Sequence, residues 1–254
     1  MKFAIVATCA LLVTLLGAVE VRAGTVVQAP RDNALDQMII ELLENFKQSM
    51  TCGIPDLGVP VLAPFELDHF EVNIEQKGLK FKGEMNNLLV DGLNEFEIKN
   101  VHINVLKLQL TFELYFASIR SKGDYRAKGK VIGLFPFNRK GPFHFNVNGV
   151  TLKGSVKVGI SGDNVQVREL QITPTVETVN SDLKNVFLLP LNTFIFNRIV
   201  EGVLPGMIND NKDDITAAIE DNLKPVINEL LGDITLQDLI DMASGEGSSI
   251  PTTC

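Results

Sequence analysis

The sequence predicts an α+β fold in which a large antiparallel β-sheet packs its apolar face against helices. Two patterns predict it. Large apolar side chains alternate with polar ones over Leu106–Phe116, and the same alternation recurs through much of residues 68–180. Residues 32–50 and the segment after Asp182 instead carry apolar residues at three- and four-residue spacing. This spacing is typical of helices that cover one face of a sheet.

The first predicted helix follows Asp32 and ends near Met50, with an apolar stripe opposite a charged one. The next segment, Gly53–Phe65, contains three prolines. Because proline disrupts a helix interior and restricts the residue before it, this segment is expected to be extended.

The predicted sheet is curved. Its apolar residues change from odd to even positions within Val105–Leu106, and further shifts occur within Val147–Val150 and Val167–Leu170. A β-bulge produces such a change by adding one residue to one strand. Together with glycines inside the strands, these shifts predict a bent sheet.

Two helices are expected after Asp182, separated by a break at Pro205-Gly206. The acidic residues of Asp210–Asp214 favour the start of the second helix, whose apolar stripe should bend at Pro225. A last short helix is expected over Leu236–Met242.

The chain has 254 residues, with 23 Lys and Arg against 31 Asp and Glu, a net charge of −8. This length allows one large domain or two small ones. The acidity argues against nucleic acid as a partner, since no basic cluster is evident in the sequence. For the same reason, binding to anionic membranes or lipopolysaccharide is not favoured.

The N-terminus predicts secretion to the extracellular space. Lys2 precedes the apolar run Phe3–Gly17, and small residues flank position 22, so residues 1–23 read as a signal peptide cut before Gly24. A leader over residues 24–31 and a flexible tail over residues 244–254 complete the organisation. No later run is long and apolar enough to cross a bilayer, so no stable membrane insertion is expected.

Cysteine usage is sparse. Cys9 would leave with the signal peptide, so Cys52 and Cys254 remain. They could pair with each other, or each could stay free.

Catalysis finds little support in the sequence. It contains no G-x-S-x-G motif and no nucleophile with an evident histidine partner, so a lipid-modifying hydrolase is disfavoured. His69, His102 and His144 are isolated on polar strand positions, where solvent-facing histidines are expected. The acidic stretch Asn209–Asp214 lacks the glycine and terminal glutamate of a calcium loop. We therefore expect a protein that is not an enzyme and that has no cofactor and no metal.

Four motifs resemble one family. Gly53–Phe65 (GIPDLGVPVLAPF) and Asn87–Phe96 (NLLVDGLNEF) resemble the first two conserved segments of the insect takeout and haemolymph juvenile-hormone-binding proteins. Tyr125–Leu134 (YRAKGKVIGL) and Leu223–Ile227 (LKPVI) resemble later ones. The likeness spans residues 33–240. The chain lacks the family's usual N-terminal cysteine pair and in this respect resembles the mite group 7 allergens.

The resemblance implies the tubular lipid-binding fold, a long helix wrapped by a highly curved antiparallel sheet, as a single domain over residues 32–243. It also implies an internal tunnel for an elongated apolar ligand, such as a juvenile-hormone-like terpenoid or a fatty acid. The expected protein is a monomeric carrier whose receptor, if it has one, the sequence does not identify.

The residues expected to line this tunnel share an apolar strand or helix phase. They are Leu108, Leu110, Phe112, Leu114, Phe145, Val147 and Ile172 on strands, and Phe194, Ile219, Leu223 and Ile227 on helices. The alternative function is an innate-immunity or surface-recognition protein that binds a microbial lipid or a protein partner.

Overall fold

The computed structural model describes residues 30–53, 60–76, 79–131, 135–162, 164–187, 190–232 and 235. The predicted signal peptide, the short helix over Leu236–Met242 and the tail lie outside these residues. The helices are α1 (Pro30–Ser49), α2 (Pro190–Asp210) and α3 (Lys212–Leu231). The strands are β1 (Phe65–Gln76), β2 (Leu79–Asp91), β3 (Phe96–Asn104), β4 (Gln109–Val131), β5 (Phe135–Ser161) and β6 (Asn164–Leu183). The predicted α+β class is confirmed.

All six strands belong to one antiparallel sheet in the order β1-β2-β4-β5-β6, and β3 also pairs with β4. β2 and β3 follow each other along the same side of β4, because β3 pairs with residues 109–116 and β2 with residues 120–131. The sheet is open, and β1, β3 and β6 form its edges.

The phase change predicted as a bulge at Val105–Leu106 is instead the connection between two strands. β3 ends at Asn104, whose side-chain oxygen accepts a hydrogen bond from the Lys107 amide at 3.0 Å. A single 3₁₀ turn follows over Val105–Lys107, and Leu108 adopts a left-handed conformation with φ 48°. Leu106 is consequently 88% exposed, although its parity matches the buried residues of β4.

The other two phase changes fall where the sequence predicts them, with different causes. Val158 pairs with Val167 and Lys157 with Glu169, so Arg168 is an extra residue and forms a bulge. At Gly149 the register is preserved, but the backbone adopts φ 62°. This positive φ favours glycine, and a Cβ there would also lie 2.3 Å from the Glu177 carboxyl carbon, so that side chain would have to move.

The inward-facing positions change parity on β4, β5 and β6 along a single line that passes through Ala117, Gly149 and Glu177. On one side of this line Phe116 pairs with Val150, and on the other Ser118 pairs with Asn148. We call this line the crease. The inward-facing parity changes there without an inserted residue.

The larger cluster joins α1 and α3 to β3 and to parts of β4, β5 and β6 that lie mostly on one side of the crease, and Val179 extends it to the other side. The smaller cluster lies on the other side and contains Tyr125, Ala127, Phe143, Leu183 and Phe196. None of the described helices is both long and apolar enough to span a bilayer.

The C-terminal helices differ from the prediction at their boundaries. The apolar spacing changes after Asp182, but β6 continues to Leu183 and α2 begins only at Pro190, since a few residues of apolar spacing do not distinguish a helix from a strand end. The predicted break at Pro205-Gly206 was wrong, because Pro205 lies inside α2 and the break falls at Asn211. Hydrogen bonds to β6 on both sides of Pro205 hold α2 continuous, and the expected acidic start of α3 is confirmed by Asp213 and Asp214 in its first turn.

Candidate functional site

The structure gathers ten of the eleven predicted lining residues around the larger cluster. Six of them are buried inside it: Leu110, Phe112, Leu114, Ile172, Leu223 and Ile227. Four others are partly buried against it: Leu108, Phe145, Val147 and Ile219. The strand and helix phases therefore identify the apolar interior, while the ligand role of these residues stays a prediction.

Phe194 is not brought to the other ten. It is 56% exposed on α2, and the Arg198 guanidinium lies 5.3 Å from its ring centroid. α2 is apolar around much of its circumference, so its sequence phase does not determine which side faces the sheet.

Fully buried and partly buried side chains differ in whether a ligand can contact them. Leu110 and Ile227 are 0% exposed, so neighbouring protein atoms already contact their whole surface. Ile119, Phe145 and Val147 retain exposed surface while they pack against the cluster. A bound molecule could contact these side chains without displacing the core.

These partly buried residues lie beside the crease. Ile119 and Val147 are direct partners on β4 and β5, so their side chains share one face of the sheet. Phe145, two residues from Val147, packs against both apolar clusters, and its ring centroid lies 5.5 Å from that of Phe143. We call Ile119, Phe145 and Val147 the interior junction. On the helices, Leu204, Ile208 and Ile219 are likewise partly buried against the larger cluster.

Asparagine side chains attach the two C-terminal helices to the edge strand β6. Asn197 and Asn209 of α2 and Asn228 of α3 each accept a backbone N–H and donate to the C=O of the same β6 residue. Their partners are Leu183, Val176 and Val167, at distances of 2.8–3.1 Å. Each amide thus replaces a neighbouring strand at an edge that would otherwise expose unpaired backbone groups.

The opposite edge is attached to α1 by a carboxylate. Asp36 accepts the Ile103 backbone N–H at 2.7 Å and lies 3.1 Å from His102 Nδ1. The apolar interior therefore lies between helices that are hydrogen-bonded to two of the edge strands, β3 and β6. Sequence reasoning missed these polar contacts. The sequence signal for these contacts is an asparagine, a weak helix former, that directly follows a buried residue in a helix. It occurs at Phe196-Asn197 and at Ile227-Asn228.

Two cavities among the described residues are lined by none of the residues predicted to form the tunnel. Each measures about 510 Å³. The first is lined by Arg126, Asn138, Arg139, Lys140, Asn185 and Phe187. The second is lined by Glu71, Lys82, Gly83, Glu84, Arg126, Ala127, Lys128 and Asn138. Both are lined mostly by charged and amide residues and lie across the crease from α1.

The histidines and the acidic stretch have ordinary surroundings. His69, His102 and His144 are exposed, as predicted, and His69 Nδ1 lies 2.9 Å from the Asn86 side-chain oxygen. Asn209, the first residue of the calcium alternative, uses both amide atoms on Val176. Within the described part of the chain, no three His, Cys, Asp or Glu side chains converge as metal ligands would.

Cys52 forms a disulfide. Cys9 and Cys254 both lie outside the described residues, so pairing of Cys52 with Cys254 stays one of the alternatives that the sequence leaves open.

One buried titratable group belongs to the smaller cluster. Burial raises the pKa of Tyr125 to about 12, and its hydroxyl donates to the Lys184 carbonyl at 2.6 Å. The phenol is thus held neutral as a structural donor at the end of β6.

Comparisons with known proteins agree with this architecture. The fold is similar to that of Takeout 1 from Epiphyas postvittana, with a TM-score of 0.59 and 18% identity over 78% of this chain and 93% of that chain. Lipopolysaccharide binding protein (TM-score 0.33, 16% identity, 77% and 39% covered) and latherin (0.26, 14%, 96% and 90%) are too dissimilar to support an argument. No curated protein matches the sequence.

The expected tubular lipid-binding fold is confirmed by the similarity to Takeout 1. The family model described as haemolymph juvenile hormone binding protein matches residues 4–241. Since this match covers most of the sequence, the chain belongs to the haemolymph juvenile hormone binding protein family.

Proposed function

We propose that this chain is a secreted, monomeric and non-catalytic carrier that holds a small hydrophobic molecule between its sheet and its helices. The observation that supports the proposal most strongly is the interior junction, where Ile119, Phe145 and Val147 retain exposed apolar surface beside a tightly packed core. Family membership supports the same class of function.

The proposed ligand is elongated and apolar, such as a terpenoid hormone or a fatty acid. Burying about 12 methylenes at about 0.8 kcal/mol each offers up to about 10 kcal/mol. Association offsets part of this energy, and the remainder is sufficient for micromolar or better affinity. Because the junction side chains are aliphatic and phenyl groups, they would select a ligand by length and shape more than by hydrogen bonds.

Displacement of a fluorescent fatty-acid probe tests the proposal. In Val147→Arg, a guanidinium enters the junction, and we expect the affinity for the probe to fall by about 100-fold because the charge would lose its solvation there. Val203→Arg is the matched control, since Val203 is 44% exposed on α2 and the new charge stays in water. Its affinity should stay within about threefold of the original.

Val147→Phe separates loss of space from loss of folding. The larger apolar side chain fills the junction without adding charge, so binding should weaken while the far-ultraviolet circular dichroism stays unchanged. If both Val147 variants fold and bind the probe as the original does, the junction is not the site.

The alternative function is recognition of a microbial lipid or a protein partner through the exterior. Lipid extraction of the natively purified protein, followed by mass spectrometry, distinguishes the two functions. A carrier yields an apolar metabolite near one equivalent, whereas a surface-recognition protein yields none.

A further inference from the structure

Four lysines that form no ion pair with a described residue lie on the outward face of the half of the sheet across the crease from α1. They are Lys82, Lys122, Lys128 and Lys140; all are exposed, and within the described part of the chain none lies within ion-pair distance of a carboxylate. We call them the basic surface. It corrects the expectation that no basic cluster offsets the net charge of −8, because residues distant in sequence meet through strand pairing.

The strand register places like charges opposite each other on this surface. Lys82 is the direct partner of Lys128, and Arg126 is the direct partner of Lys140. Among the described residues, Arg126 has one carboxylate partner, Glu84, at 3.3 Å. Like charges directly opposite each other destabilise a sheet, so the free protein keeps an arrangement that a bound anion would relieve.

The other half of the same sheet pairs opposite charges at equivalent positions. Glu113 is the direct partner of Lys153, and their charged atoms lie 3.2 Å apart. Lys157 is the direct partner of Glu169, at 2.7 Å. The two cation pairs therefore belong to the basic half of the described sheet, where the register also pairs Glu84 with Arg126 and Glu71 with Glu84.

The shape of the basic surface favours an extended anion over a small one. Arg126 borders both 510 Å³ cavities, and the cations of the two cavities come from β2, β4 and β5. Every cation there is exposed, so the surface has no buried polar group that would fix one small ion in place. Exposed lysines spread over several strands attract a charged surface through the sum of their charges.

We propose that the basic surface docks the protein on a phospholipid bilayer that contains anionic headgroups. The rest of the acidic chain is repelled by such a bilayer, so docking presents this half of the sheet to the membrane. A hydrophobic molecule dissolved in the bilayer would then be close to the apolar interior, and this loading role rests on the carrier function proposed above.

Vesicle flotation tests the docking directly, without any cargo. The original protein should float with vesicles of equimolar phosphatidylcholine and phosphatidylserine and should stay unbound with phosphatidylcholine alone. Lys128→Gln combined with Lys140→Gln should weaken partitioning by about 30-fold, a factor of about five per cation. Raising the salt to about 1 M should also release the protein, because the Debye length falls to about 3 Å.

Lys107→Gln combined with Lys212→Gln is the matched control, since both lysines are exposed, unpaired in the described part of the chain and outside the basic surface. It removes the same charge and should partition within about threefold of the original. Equal losses in the two double variants would overturn the proposal, because net charge alone would explain binding. Absence of binding to the anionic vesicles would overturn it too, as would full release by millimolar inorganic phosphate at constant ionic strength.

Binding of the fatty-acid probe in solution, measured on the same proteins, keeps this inference separate from the carrier function. The Lys128/Lys140 double variant should bind the probe normally, because neither residue borders the interior junction. Vesicle binding without probe binding would leave docking in place and remove the carrier function. Probe binding without vesicle binding would overturn the docking proposal and leave the carrier function in place.

Discussion

Asn197→Leu should destabilise the protein strongly, because one buried amide completes the edge of β6. The Asn197 oxygen accepts the Leu183 N–H at 2.9 Å, and its nitrogen donates to the Leu183 C=O at 3.1 Å. Both residues are 8% exposed. Leucine has a similar volume and no polar atom, so the variant leaves two buried backbone groups without partners. Each costs about 1–3 kcal/mol, and added apolar burial offsets part of the loss, so the free energy of unfolding should fall by about 2–4 kcal/mol.

Equilibrium unfolding in urea, followed by circular dichroism, measures this change. Asn222→Leu is the control, since Asn222 is exposed and its amide donates only to Ala218 of its own helix, at 2.7 Å. Its effect should stay within about 0.5 kcal/mol. An Asn197→Leu effect below about 1 kcal/mol, or one equal to the control, would refute the view that amide pairing holds α2 on β6.

Three further predictions concern packing, titration and charge. Gly154→Ala should lower the free energy of unfolding by about 1–3 kcal/mol, because the new Cβ would lie 1.9 Å from the Phe112 ring; an unchanged urea midpoint would contradict this contact. Because the pKa of Tyr125 is about 12 in the folded protein and 10 in the unfolded chain, its stabilising contribution is complete below pH 10 and is lost as the pH rises to about 12. Tyr125→Phe should remove the rise in ultraviolet absorbance that tyrosine ionisation gives near pH 12. If that rise persists in the variant, it comes from another group. Lys128→Gln should leave stability unchanged or raise it by about 0.2–1 kcal/mol in urea unfolding, whereas a loss above 1 kcal/mol would contradict the repulsive pair with Lys82.

The fold was predictable because buried apolar residues recur in the sequence with the period of the strand or helix that they belong to. Residues 110–116 alternate cleanly since one face of β4 packs on the larger cluster, and α1 buries Ile39, Leu43 and Phe46 at helical spacing. The bulge at Arg168 was visible as a phase change for the same reason.

The predicted boundaries of β4 and α2 were wrong at places where the backbone conformation departs from what the pattern of apolar residues indicates. Leu106 continues the parity of β4 although it lies in a turn, because left-handed Leu108 restores the direction of the chain. Pro205 indicates a helix break by local rules, yet tertiary hydrogen bonds at Asn197 and Asn209 keep α2 continuous. The spacing of apolar residues in the sequence indicates neither the left-handed residue nor the tertiary hydrogen bonds.

Within the candidate site, the strand phase identified inward-facing residues but could not separate packed core from exposed lining. Leu110 and Val147 have equally good phases, and only Val147 retains accessible surface. Whether an inward-facing side chain is fully packed depends on how closely the helices contact the sheet at that position. This contact is a property of the tertiary structure. The basic surface was missed for a related reason, since strand register brings its lysines together.

The most direct test of the carrier function is a titration of delipidated, refolded protein with the fluorescent fatty-acid probe, monitored until the signal saturates. We expect one equivalent to bind with a dissociation constant in the micromolar range or below, and unlabelled terpenoids or fatty acids to displace it. A linear, unsaturable signal from correctly folded protein, with no displacement, would contradict the existence of an internal hydrophobic site.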